Sequence, residues 1–172
     1  MPNHPVAMFE YHIWASRTIM ERIQELPASV LHAEVGSSFP TIAHALSHMY
    51  AVDSMFYQVL QGKEMPEAFQ ACMSLNQKIL DSIEDYMTVF TALTEQYQQW
   101  FQSEIDLEQS VRLDNPFCGV RQTYLSEIVL HVVNHGTYHR GNISTMLRQL
   151  GHASTMNDYL LYWYQGQIPS TQ

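Results

Sequence analysis

The sequence predicts an all-α fold: a four-helix bundle with a crossover loop before its last helix and a short C-terminal helix. Three observations predict it. Four segments repeat apolar residues at intervals of three and four, the period of an α-helix. Only Ser110-Val111-Arg112-Leu113 alternates in the manner of a strand. At 172 residues and 46% hydrophobic content, the chain suits a single domain over residues 1–172, with one sizeable core and no disorder.

In the first helix, Phe9, Ile13, Met20 and Ile23 share a face, and Pro27 ends the pattern. The second opens in SSFPT, where Ser38 or Thr41 can cap and Pro40 suits a first turn. Its face carries His44, His48, Val52, Met55 and Val59, and Gly62 stops it. The third is the longest, with Leu75, Ile79, Ser82, Tyr86, Phe90, Leu93, Tyr97 and Trp100 in one stripe. Its other faces, rich in Gln, Glu, Asp and Thr, should be solvated.

Residues 104–120, EIDLEQSVRLDNPFCGV, break the periodicity and read as the crossover loop, with turn signals at Asn115-Pro116 and Gly119. The fourth helix starts with Thr123 as its cap and runs to Leu150, where Gly151 takes the C-terminal glycine position. Thr155 and Asp158 have capping-box spacing ahead of YLLYWY, a short fifth helix. Its aromatic residues Tyr159, Tyr162, Trp163 and Tyr164 pack either across the bundle end or across a homodimer.

The formal charge of −9 disfavours nucleic acid, and it disfavours membrane binding through a basic helix. No apolar stretch is long enough to span a bilayer. The segment MPNHPVAMFEYHIWAS lacks the basic and apolar regions of a signal peptide. The expectation is a soluble, cytoplasmic protein with no nucleic-acid and no membrane partner. Cys72 and Cys118 are too few and too ill-spaced for a disulfide framework or a CxxC zinc site, and read as reduced structural thiols.

Histidine is the outlier: nine residues, against eight Lys and Arg together. The stretch HVVNHGTYHRGN places His131, His135 and His139 four apart. Helical residues four apart lie about 40° and about 6 Å from one another, so two can close on one ion. Residues eight apart are separated by about 12 Å, too far to share it. At most one adjacent pair in this run chelates, and His44/His48 offers another pair. All lie on presumed core faces, where ring nitrogens need partners. Neutral imidazole suits zinc or nickel. The competing reading is that these are satisfied core or surface histidines. His4, His12, His32 and His152 read as ordinary residues.

The stretch LHVVNHGTYHRGNISTMLRQLG resembles the last core helix of the DinB/YfiT-like superfamily. FEYHIWASRTIMERI resembles its opening element, with Ser16 at a usual asparagine position, and LSHMYAVDSMFY its second helix. The resemblance covers most of the chain. It implies a four-helix bundle holding a divalent metal on three histidines, here His48, His135 and His139. The other metal positions would be open to water or substrate, with His44 and His131 as neighbouring donors.

Characterised relatives include thiol-dependent enzymes that use mycothiol or bacillithiol. The resemblance therefore implies a metal-dependent enzyme, such as a thiol S-transferase or a hydrolase. Its expected cofactors are zinc or nickel and a low-molecular-weight thiol, its partner a small-molecule substrate, and its assembly a homodimer. The alternatives are a non-catalytic, stress-related metal-binding bundle and a homodimeric interaction protein. Catalytic residues are not assigned, although Glu127, Tyr50, Tyr57 and Tyr138 are candidates for proton transfer. Asp53 is expected at the surface, Arg140 in a structural salt bridge, and Gly136 where helices pack closely. No Glu-x-x-His pair occurs, which argues against a ferritin-like di-iron centre.

Overall fold

The chain runs through α1 (His4–Gln24), α2 (Ile42–Leu60), α3 (Met65–Gln77), α4 (Ile83–Phe101), β1 (Ser110–Asn115), β2 (Gly119–Tyr124), α5 (Leu125–Gln149) and α6 (Tyr159–Tyr162). A 3-10 turn at Ala28–His32 links α1 to α2. This computed structural model describes residues 4–165, so the ends of the domain expected over 1–172 lie outside the described residues. The four long helices close a ring in which α1 and α2 each pack against both α4 and α5. That is the expected bundle.

The helix starts follow from local chemistry. Thr41 rather than Ser38 caps α2, its hydroxyl accepting the His44 N–H at 3.3 Å, and Pro40 falls just outside the helix. At α5 the cap is Tyr124, the last residue of β2, rather than Thr123. The Glu127 carboxylate accepts the Tyr124 N–H at 3.1 Å and also receives the Thr123 hydroxyl. Gly151 stops α5 as expected, with φ of +84°. Ahead of α6, Asp158 makes no side-chain cap and the Thr155 capping box does not form.

Two expectations are corrected. The long third stripe is two helices. Ser82 stands outside both and caps α4, its hydroxyl accepting the Asp85 N–H at 3.1 Å. The linker between them is held by Tyr86, whose hydroxyl accepts the Leu80 N–H at 3.1 Å, and by Ser47, which donates to the Lys78 carbonyl at 2.7 Å. The crossover contains an antiparallel hairpin, with Ser110 opposite Tyr124 and Asn115 opposite Gly119. Asn115 Oδ1 builds its turn by accepting the N–H groups of Phe117 at 2.8 Å and Cys118 at 3.0 Å.

The core is divided along the bundle axis. One apolar cluster gathers around Phe9, Phe56, Tyr97 and Val129. The other gathers around Ile19, Leu46, Tyr86 and Ile143. Between them the inward residues turn polar: His12 and Ser16 on α1, Asp53 on α2, His139 and Arg140 on α5. No described helix is long and apolar enough to cross a membrane.

Candidate metal centre

In this polar layer α2 presents His48 to α5. His48 Nε2 lies 3.2 Å from His135 Nε2, which lies 3.0 Å from His139 Nε2. Zinc–nitrogen bonds of about 2.0–2.1 Å at a tetrahedral angle place ligand nitrogens roughly 3.3–3.4 Å apart. Two of the three nitrogen pairs therefore already stand close to the edges of a metal's coordination shell, and all three ligand atoms lie within 4.8 Å of one another. His135 and His139 are also in the right protonation state. Burial, followed by the charges His139 and His48 would carry, pushes the His135 pKa down to about 3. Burial and His48 push that of His139 down to about 4. Both rings are neutral at pH 7, with lone pairs to offer.

The outward nitrogen of His48 sets its tautomer. His48 Nδ1–H donates to Asn76 Oδ1 at 3.0 Å, which leaves Nε2 unprotonated. Asn142 Nδ2 lies 3.3 Å from His139 Nδ1, so the amide N–H donates to that ring nitrogen and holds the ring in place. His135 Nδ1 is buried and has no partner among the described residues. Phe39 covers one side, its ring 5.3 Å from those of both His48 and His139. The Tyr138 ring stands edge-on to His139 at 5.0 Å and is 65% exposed.

Behind α5 lies a second, fully buried polar group. His12 Nε2 and Asp53 Oδ2 are 3.0 Å apart. Arg140 Nη1 reaches His12 Nδ1 at 3.1 Å and Ser16 Oγ at 3.2 Å, and Nη2 donates to Thr137 Oγ1 at 2.8 Å. The guanidinium also lies 5.4 Å from the Tyr11 ring centre. Asp53 is thus not a surface carboxylate; it is only 3% exposed. Arg140 forms no salt bridge among the described residues; its hydrogen bonds go to His12, Ser16 and Thr137. Gly136 does mark a close approach, as expected: a β-carbon there would fall 2.3 Å from His12 Cε1.

The triad gathers three of the predicted histidines and leaves the others out. His44 Nδ1 lies 2.7 Å from its own helix cap, Thr41, so it is not a donor to the centre. His131 packs its ring 4.7 Å from that of Phe56 and makes no hydrogen bond to a triad histidine. Glu127 is spent on the start of α5. Tyr57 receives a bond from Gln61, and Tyr50 packs on Phe90. Cys72 and Cys118 are both free thiols; burial raises the pKa of Cys72. Asn76 was missed, because the continuous third stripe hid the helix that carries it. Asn142 was visible only as a residue on the His139 side of α5.

A family model described as DinB family matches residues 1–169. The chain belongs to the DinB family. Protein DinB of Bacillus subtilis (strain 168) is 39% identical over 165 residues, covering 95% of this chain and 96% of that protein. The crystal structure of a DinB-like protein from Bacillus cereus ATCC 10987 superposes with a TM-score of 0.63 at 18% identity. It covers 88% of this chain and 92% of that one, and confirms the fold. DinB membership and the histidine cluster are together compatible with metal binding.

Proposed function

We propose that this DinB-family protein holds one divalent cation, zinc or nickel, on Nε2 of His48, His135 and His139, and acts on a small molecule there. The observation that carries this reading is the convergence of three Nε2 atoms at 3.0 and 3.2 Å, with no carboxylate among them. Three neutral ligands leave the ion its full charge and open positions. Such an ion lowers the pKa of bound water or holds a thiol as its thiolate. The protein's own share is orientation and exclusion of water: Asn76 and Asn142 aim two rings, and Phe39 shields one side.

The activity that fits is transfer of a low-molecular-weight thiol to an electrophile, or hydrolysis. We place the protein in the cytoplasm as a homodimer, with Leu160, Trp163 and Tyr164, all exposed, as part of the contact surface. The acidic charge supports the absence of nucleic-acid and membrane partners. A non-catalytic metal-binding bundle is the second reading. It is favoured by the lack of any general base bonded to the triad among the described residues.

Elemental analysis of untagged protein purified without chelator tests the site, beside a His135→Ala/His139→Ala double variant. Near one metal per chain, lost in the variant, is the expected result. No metal, even after reconstitution with zinc or nickel, overturns it. Thiol-transfer assays on generic electrophiles then separate enzyme from carrier.

A further inference from the structure

We propose that the slot between α2 and α3 receives the apolar arm of the molecule handled at the histidine centre, and that this arm is an unbranched alkyl chain. The inference rests on the metal reading above and names its substrate class. His48, Val52 and Met55 line the slot from α2, and Phe69, Cys72 and Asn76 line it from α3. On each helix these positions follow at intervals of three and four, so each set is one stripe. Residues 61–64 alone separate the two helices, which therefore run antiparallel. His48 and Asn76 close one end, with His48 Nδ1 and Asn76 Oδ1 3.0 Å apart, and Met55 and Phe69 fall at the other. At about 1.5 Å per residue each stripe is about 10 Å long.

The lining selects an apolar occupant. It includes no charged residue. Its polar side chains are engaged by protein partners: His48 and Asn76 bond to each other, and the Cys72 thiol receives the Gln58 amide at 3.3 Å. Away from the His48–Asn76 end the walls offer no free donor or acceptor. A polar chain there would lose its water and gain no hydrogen bond. Met73 is exposed at the mouth and Met55 is buried, so two flexible thioethers can adapt to an alkyl chain.

The dimensions select a chain over a ring. The slot measures about 110 Å³, below the roughly 150 Å³ of an apolar cavity that takes benzene. Spread over the length of both stripes, that volume is narrow. His48 borders the slot and also supplies a nitrogen of the triad. A chain seated between Met55 and Phe69 therefore ends with its head group beside the histidine centre. The larger cavity between α1 and α4 borders none of the triad histidines.

The probes are ethanol, n-butanol and n-hexanol on metal-free protein, and the matching thiols on zinc-loaded protein. Binding is followed by calorimetry and by shifts of the backbone amides of α2 and α3. Each added methylene should tighten binding by up to about 4-fold in both series. Cyclohexanol, with as many carbons as n-hexanol, should bind no better than n-butanol. Thiols should exceed alcohols of equal length on zinc-loaded protein alone. Val52→Trp, which fills the slot from a half-buried position, should flatten both series at wild-type helicity and zinc content. Should that variant fail to fold, Val52→Ala decides: the widened slot should bind cyclohexanol as well as n-hexanol. Alcohol binding independent of chain length, or a dependence that survives Val52→Trp, would overturn the slot. Thiols no tighter than alcohols on zinc-loaded protein would overturn its link to the centre. Chain-length dependence without any zinc uptake would overturn the metal reading and leave the alkyl slot standing.

Discussion

His12 packs on Gly136 and His135 precedes it in α5, and the two histidines have opposite circumstances. His12 is 3% exposed with both ring nitrogens engaged, one by Asp53 and one by Arg140. His135 points Nε2 at two other imidazoles and leaves Nδ1 with no partner among the described residues. The His12 ring is closed on its protein partners and the His135 ring is open. The group around His12 fastens α1 and α2 to α5 beside the residues that follow His135 and His139. It therefore holds the register in which the open ring can face a ligand. A histidine placed for packing finds partners within the chain; one placed for chemistry is left short of them.

The largest test removes the only carboxylate of the group around His12. Asp53→Leu should destabilise the fold by about 3–5 kcal/mol, because it leaves the buried Arg140 charge uncompensated, as read by urea unfolding. Gly136→Ala pushes a methyl into the His12 ring, which its two partners hold in place. A loss of roughly 1–3 kcal/mol in the same assay is expected, with weaker metal binding as α5 shifts. Asn76→Ala sharpens the contrast from the other side. Asn76 is exposed, so stability should hardly change, while zinc affinity should fall by about 10- to 100-fold in a chelator competition.

The smallest effect concerns pH. Below 6.5 the unfolded chain takes up protons that folded His135 and His139, at about 3 and about 4, still refuse. The metal-free protein should therefore lose stability as pH falls from 6.5, levelling off only near the folded values. Thermal unfolding of metal-free wild type and of His135→Ala checks this, and the variant should show the shallower dependence.

The triad was legible in the sequence to the extent that spacing dictates geometry. Four-residue steps put His135 and His139 on one helical face, and the resemblance then supplied His48. The fate of Asp53 was not legible. Five residues from His48, it does lie on a different face of α2, but α2 is enclosed, and Ala51, Ser54, Met55 and Phe56 around it are all buried too. A different face was not an outside face. The break between α3 and α4 was hidden because Ile79 and Leu80 continue the apolar spacing and stay half-buried while their backbone leaves the helix. The second strand escaped because Gly119, Val120, Arg121 and Gln122 are all exposed, so no buried face imposed an alternation.

His48 and His135 are 87 positions apart in the chain, whereas His135 and His139 share one helix. Chelation by the pair on α5 alone would leave the topology of the chain as it was. Adding His48 turns the ion into a cross-link that closes a loop containing α3, α4 and the hairpin. The entropy of bringing such distant positions together grows only as the logarithm of loop length, but an unfolded chain must meet it in full to keep the ion. Metal held this way acts as a removable stitch between the two halves of the polypeptide.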